Sequence, residues 1–156
     1  MFLQCGSRTY SGEQPHSEPE VIGMNNYVAQ YRSNIKLYFS VHSFGDMVLW
    51  PWSYPGASWI SSWQEQQRAG LAFADAIQQA TGKVYEVGNT IDVLTTAAGV
   101  CSDHMSGEHG IPLSFALELT RGGITGFDFP ESRIEDLVKE TFWGYRAFGL
   151  HVAKYF

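Results

Sequence analysis

Apolar residues recur at changing periods along the chain, and each change marks an element. Val21, Met24, Tyr27, Val28 and Tyr31 fall at helical spacing, which predicts a helix running to about residue 33. Ser17-Glu18-Pro19-Glu20 reads as its start: a capping serine, a glutamate three residues on, and a proline in the first turn, where no amide donor is missed. Residues 35–41, Ile-Lys-Leu-Tyr-Phe-Ser-Val, have the β-branched and aromatic content of a largely buried strand ending at His42. A second apolar run covers 47–52 and contains Pro51. Residues 54–61 read as loop around Pro55-Gly56, and 63–80 as a helix closed by Thr81-Gly82. A short strand is expected over 83–87, a glycine-containing loop over 88–112, and a strand over 113–119, Leu-Ser-Phe-Ala-Leu-Glu-Leu. Arg121-Gly122-Gly123 then turns the chain, and Pro130 opens a last helix carrying Ile134, Leu137, Val138, Phe142 and Tyr145. The polar, Gly- and Ser-containing stretch 1–16 reads as loop. Helices alternating with strands define an α/β fold in one unit, with no repeat, linker or low-complexity tract.

Composition narrows the function classes. The 156 residues are 44% hydrophobic and 15% aromatic, enough apolar volume for one core with rings to spare for a pocket. A net charge of −6 leaves no basic stripe for nucleic acid or an anionic membrane surface. No apolar run reaches 18 residues, so no membrane-spanning helix is expected. The start, Met-Phe-Leu-Gln-Cys, lacks the basic and apolar regions of a signal peptide. Two cysteines, Cys5 and Cys101, are too few for a disulfide scaffold, and their pairing is left open.

Two polar residues stand at the margins of apolar strands. An imidazole at His42, followed by the compact Ser43-Phe44-Gly45, reads from spacing alone as a histidine packed by local hydrogen bonds before it reads as a metal ligand. Glu118 interrupts Phe-Ala-Leu-Glu-Leu, where an unpaired buried carboxylate costs several kcal/mol. It is therefore paired, turned to solvent, or placed in a site that tunes its acidity. His104, Glu108 and His109 follow neither zinc-protease spacing and read as a polar surface loop. No serine-hydrolase elbow, phosphate-binding loop or dinucleotide-binding glycine motif occurs.

Longer strings are more specific. Leu37-Tyr38-Phe39-Ser40-Val41-His42-Ser43-Phe44, with Leu49-Trp50-Pro51-Trp52-Ser53-Tyr54 after it, resembles the zinc metallocarboxypeptidases of the pancreatic A/B type. So do Ser114-Phe115-Ala116-Leu117-Glu118-Leu119, Gly126-Phe127 and Pro130-Glu131-Ser132, and, upstream, Cys5, Tyr10-Ser11-Gly12 and Ser17-Glu18-Pro19-Glu20. The similarity runs in order along nearly the whole chain. It implies the C-terminal half of an α/β/α sandwich with a mixed β-sheet, so that residues 1–156 form one partial catalytic domain. It implies His42 as a ligand of one zinc ion and Glu118 as the general base acting on the attacking water. Ser43 and Phe44 would line the substrate cleft, Phe44 without the hydroxyl of the family's tyrosine. Ser102, in Ala97-Ala98-Gly99-Val100-Cys101-Ser102-Asp103, would line the pocket for the substrate's last side chain, its neutrality suiting a neutral residue. Peptide or protein C-termini would be the substrates, and a secreted enzyme the parent.

The resemblance also implies what is missing. The family's upstream His-x-x-Glu pair and its carboxylate-gripping Arg and Asn do not occur here, and its mobile tyrosine falls at Thr95. One imidazole does not hold a catalytic zinc, which takes three protein ligands. The expectation is a piece of a carboxypeptidase inactive by itself, with a non-catalytic relative or binding module as the alternative. The strand ending at His42 is expected to present an unpaired edge or an apolar face.

Overall fold

The computed structural model of the chain describes residues 14–156; Cys5, Tyr10-Ser11-Gly12 and most of the expected N-terminal loop lie outside them. The first helix, α1 (Pro19–Tyr31), carries Pro19 in its first turn, as expected. The capping box does not form: Glu18 holds the N-cap position without a side-chain cap bond, and Ser17 Oγ donates to the Glu18 carboxylate at 2.9 Å. The serine has found a charged acceptor one residue away, closer than the helix amides.

A four-stranded sheet follows, built from β1 (Leu37–Ser43), β2 (Met47–Trp50), β3 (Glu86–Asn89) and β4 (Leu113–Leu119). Its spatial order is β1-β4-β2-β3. β1 runs parallel to β4, β2 antiparallel to β4, and β3 parallel to β2, so the sheet is mixed. Crossovers are helical: α2 (Trp63–Thr81) leads from β2 to β3, and Gly82 ends it in the left-handed conformation, its amide donating to the Gln78 carbonyl. The stretch expected as loop over 88–112 contains two short helices, α3 (Thr90–Val93) and α4 (Cys101–Gly107). Asn89 caps α3 by accepting the Ile91 amide. The last helix, α5 (Ile134–Tyr155), is preceded by a 3₁₀ turn over Glu131–Arg133.

Period two in the strands separates two cores. Phe115 and Leu117 of β4 and Val48 and Trp50 of β2 meet Phe73, Ile77 and Phe148 from α2 and α5. Phe148 stacks on Phe115 at 4.9 Å and touches Phe73 at 4.7 Å. On the opposite face Val28 of α1, Met105 of α4 and Ile111 form a smaller cluster, with Met24, Ile35 and Tyr38 against it. The result is helices on both faces of one sheet.

β1 departs from the expectation of a largely buried strand. Among the described residues it pairs with β4 alone, and Phe39 and Val41 are 37% and 49% exposed. The apolar run reflects an edge strand partly covered by α5, where Phe39 stacks on Tyr145 at 5.3 Å. His109 also departs from expectation. It is buried, and with His104 of α4 it shares the Asn25 side-chain oxygen of α1, each Nε2 at 2.8 Å. These polar residues join two helices instead of decorating a surface loop.

That junction makes stability depend on pH. Burial, then the His109 and His16 rings, hold the His104 imidazole below its ordinary value, with Glu108 pulling the other way. The folded chain therefore binds fewer protons than the unfolded chain below about pH 6.5. Its contribution is complete above that value and is lost as pH falls through the lowered native pKa. The urea midpoint should drop between about pH 7.5 and about pH 5.5, and H104Q should flatten this dependence; an equal slope in wild type and variant would rule the account out.

A second prediction concerns the packing of α5 on α2. A Cβ at Gly144 would lie 2.6 Å from the Phe73 ring, whereas one at Gly149 meets nothing within 4 Å. G144A should destabilise by about 1–3 kcal/mol, while G149A should be neutral or stabilise by up to about 1 kcal/mol. Equal denaturant midpoints for the two variants would contradict the close approach.

Candidate active site

The site grows from the register of β1 on β4. Their Cα partners run from Leu37 opposite Leu113 to Ser43 opposite Leu119, which sets His42 opposite Glu118. Side chains of directly paired residues in neighbouring strands leave the sheet on the same face, with strands about 4.8 Å apart. Leu117 and Phe115 turn to the aromatic core, so Glu118, between Leu117 and Leu119, turns the other way. His42 shares that face with Ser40 and Tyr38. The two residues expected to act together are therefore neighbours.

Glu118 is half-buried, and burial raises its pKa while the adjacent His42 lowers it. One carboxylate oxygen, Oε2, is buried without a hydrogen-bond partner. An orphaned carboxylate oxygen beside an imidazole marks a place built to accept a proton or a polar ligand. The turn after β1 leaves it room. Gly45 passes so close that a Cβ there would lie 3.1 Å from Glu118 Cβ and 2.6 Å from Met47 Cε. The Gly45 amide donates to the Leu119 carbonyl at 2.9 Å. Asp46, in the left-handed region at φ 55°, is held by Lys83 at 2.8 Å and accepts from Thr120 Oγ1 at 2.7 Å.

His42 is exposed, and its Nε2 is hydrogen-bonded to Ser40 Oγ at 3.1 Å. His42 and Ser43 help wall a cavity of about 380 Å³ whose other walls include Thr120, Gly126, Phe129 and Leu137. Phe44 is packed instead of free: its ring meets Phe127 at 5.0 Å, the Arg121 guanidinium lies 5.1 Å from its centroid, and it fills the space beside Gly126 that a Cβ would need.

Ser102 sits apart from this group. It lies in the first turn of α4 with no exposed surface, and its Oγ has no hydrogen-bond partner. Its hydroxyl, like Glu118 Oε2, is buried without a partner, but it lies apart from the group around His42. Its neighbour Asp103 accepts from the Ser53 amide and hydroxyl, at 2.9 and 2.7 Å to Oδ2, and burial raises its pKa. Thr95 is exposed, its amide donating to the Thr90 carbonyl at 3.1 Å. Among the described residues no group of three His, Cys, Asp or Glu is arranged to hold a metal ion. The sequence reading passed over Ser40, although its place two residues before His42 puts both on one strand face.

A parallel strand pair sets an imidazole beside a partnerless carboxylate, inside a mixed α/β sheet flanked by helices. The zinc carboxypeptidase family matches residues 4–144, and the chain belongs to that family. Carboxypeptidase B of Astacus astacus is 31% identical over 138 residues, which are 88% of this chain and 45% of that protein. Carboxypeptidase A6 of Homo sapiens is 33% identical over 94% of this chain and 33% of its own length. Bovine thrombin-activatable fibrinolysis inhibitor, solved with a tick carboxypeptidase inhibitor, superposes with a TM-score of 0.86 at 29% identity, covering 93% of this chain and 49% of that one. Carboxypeptidase A of Helicoverpa armigera gives 0.80 at 28%, over 92% and 36%. The chain spans less than half the length of these relatives.

Zinc is the metal of this family, and the site's fit to it is partial. The described residues supply one imidazole and one unsatisfied carboxylate oxygen, whereas catalytic zinc takes three protein ligands. By themselves they do not make a zinc centre. Among the described residues no helix is long and apolar enough to cross a membrane.

Proposed function

We propose that this chain contributes a metal ligand, His42, and a general base, Glu118, to a zinc metallocarboxypeptidase that releases C-terminal residues from peptides, residues 1–156 being part of one catalytic domain. The observation that carries this reading is the register pair His42–Glu118 with its partnerless Oε2. A carboxylate raised by burial accepts a proton more readily than a solvated one, and an adjacent imidazole keeps it ionised enough to do so. Glu118 would take a proton from the attacking water at Oε2 and pass it to the departing amine. Ser43 lies beside His42 on the wall of a cavity to which Glu118 does not contribute, and would meet a peptide end there. Phe44 would shape the cleft by packing alone, without a hydroxyl to donate. A secreted, extracellular parent suits this reading. The alternative, a carboxypeptidase-derived binding module without catalysis, is supported by the lack, among the described residues, of any group of three His, Cys, Asp or Glu arranged to hold a metal ion.

The test is release of the terminal residue from a blocked dipeptide by the protein expressed at its full encoded length with zinc supplied. E118Q should lower kcat by about 10²–10⁴, the usual contribution of a general base, with the fold intact by circular dichroism. A folded, zinc-loaded protein that releases nothing would leave the binding module. Full activity in E118Q would remove Glu118 from the mechanism.

A further inference from the structure

A second cavity, of about 310 Å³, lies between the start of α2 and the end of α4, and it shares no lining residue with the cavity beside His42. Trp52, Ile60 and Ile111 give it apolar walls, while Ser61, Ser62 and Ser106 bring hydroxyls to it. Among the described residues, none that lines it is charged. Two of the three serines leave their hydroxyls unspent. Ser62 is the N-cap of α2, and its carbonyl accepts the Glu65 and Gln66 amides at 3.0 and 3.1 Å. Its side chain makes no cap bond. At φ −90° and ψ 17° its backbone is not the extended one from which a cap hydroxyl reaches the helix amides. Ser106 Oγ is buried without any hydrogen-bond partner. A helical serine commonly turns to the carbonyl four residues back, but here that carbonyl, of Ser102, already accepts from Ser114 Oγ at 2.8 Å. Trp52 closes in on the same end of α4: a Cβ at Gly107 would lie 3.2 and 3.3 Å from the indole Cζ3 and Cη2.

We propose that this cavity is a second binding site, which takes one neutral, hydroxyl-bearing ring of the kind a single sugar residue presents. It is independent of the reading of His42 and Glu118. The walls set the chemical class. An ion entering here would lose water and meet no opposite charge, so the ligand is uncharged. Serine hydroxyls donate once and accept twice, which matches ligand hydroxyls that do both. An indole and two isoleucines suit the C–H face of a ring whose rim is polar. The volume stands at the low end for small-molecule sites, room for one ring and little more. A buried polar group without a partner calls for an explanation, and a ligand hydroxyl at Ser106 supplies one. A free monosaccharide and the terminal residue of a glycan share this chemistry.

The experiment is ¹H–¹⁵N correlation on the protein at full encoded length, labelled at tryptophan, with W52F assigning the Trp52 indole. The probes are the methyl glycosides of glucose, galactose, mannose and N-acetylglucosamine, each titrated to about 50 mM, since so few contacts give millimolar affinity. At least one should shift the Trp52 signal in a saturable way. S106A and S62A should each weaken that probe about three- to tenfold, the worth of one neutral hydrogen bond. Glucuronate should bind at least about tenfold more weakly than the neutral sugar. Without ligand, S106A should be at least as stable to urea as wild type, because it removes a buried hydroxyl that has no partner. Tighter binding of a trisaccharide ending in the same sugar assigns the site to a glycan end, and weaker binding assigns it to a free monosaccharide; either upholds the proposal. No Trp52 shift with any of the four probes overturns it. So does glucuronate binding as well as the neutral sugar, or binding unchanged in both serine variants, which would leave their hydroxyls to solvent. A urea midpoint lowered in S106A would show that hydroxyl to be spent within the fold and also overturns it. If S106A does not fold, S62A and the glucuronate comparison still decide.

Discussion

The in-register parallel pairing of β1 with β4 is the constraint on which the site depends. Strand side chains alternate with period two, so a slip of one residue would send His42 to the aromatic core and bring Val41 beside Glu118. Contacts on both faces of β1 prevent that slip. Phe39 leans on Tyr145 and Phe148 on the helical side, while Tyr38 packs with Ile35 against the smaller cluster on the other. The Leu113 amide, bonded to the Lys36 carbonyl at 3.2 Å, sets the starting point of the ladder. The imidazole and the carboxylate are neighbours because apolar residues elsewhere on the two strands leave them no other alignment.

Glu118 runs against local stability. A buried, unmatched carboxylate oxygen costs about 1–3 kcal/mol relative to a satisfied one, and neither Thr120 nor Lys83 relieves it, since both are engaged with Asp46. The neighbouring turn adds no partner: Gly45 comes over the residue without a side chain that could fill the space or donate to it. Burial of Phe73, Phe115 and Phe148 on the opposite face of the sheet offsets this local loss. The fold thus leaves a carboxylate oxygen at a strand end, between His42 and Met47, unsatisfied by the protein itself.

The strings around His42 and Glu118 made the fold class and the two residues legible through the resemblance they carry, whereas the register that sets them opposite each other depends on packing across the sheet. Other features depend on partners distant in the chain. Whether β1 lies inside the sheet or at its edge is a question of strand order, and Phe39 and Val41 look the same in both cases. His109 reads as a loop residue until Asn25, 84 positions earlier, is seen to accept from it. The helix α4 was obscured by the glycines on either side of it. Ser17 offered a sound capping signal, yet the adjacent Glu18 carboxylate competed for its proton. Ser40 was legible in principle, since alternation alone places it beneath His42.

An edge strand is held by backbone bonds on one side only, so the precision of anything it carries has to come from its side chains. On β1 the two faces divide that work. The ring of Phe39 fixes the strand to α5, and on the other face Ser40 Oγ is hydrogen-bonded to the His42 ring beside Glu118. The geometry of the pair follows from the packing of β1 against β4 and α5, whatever supplies the remaining ligands that a catalytic zinc requires.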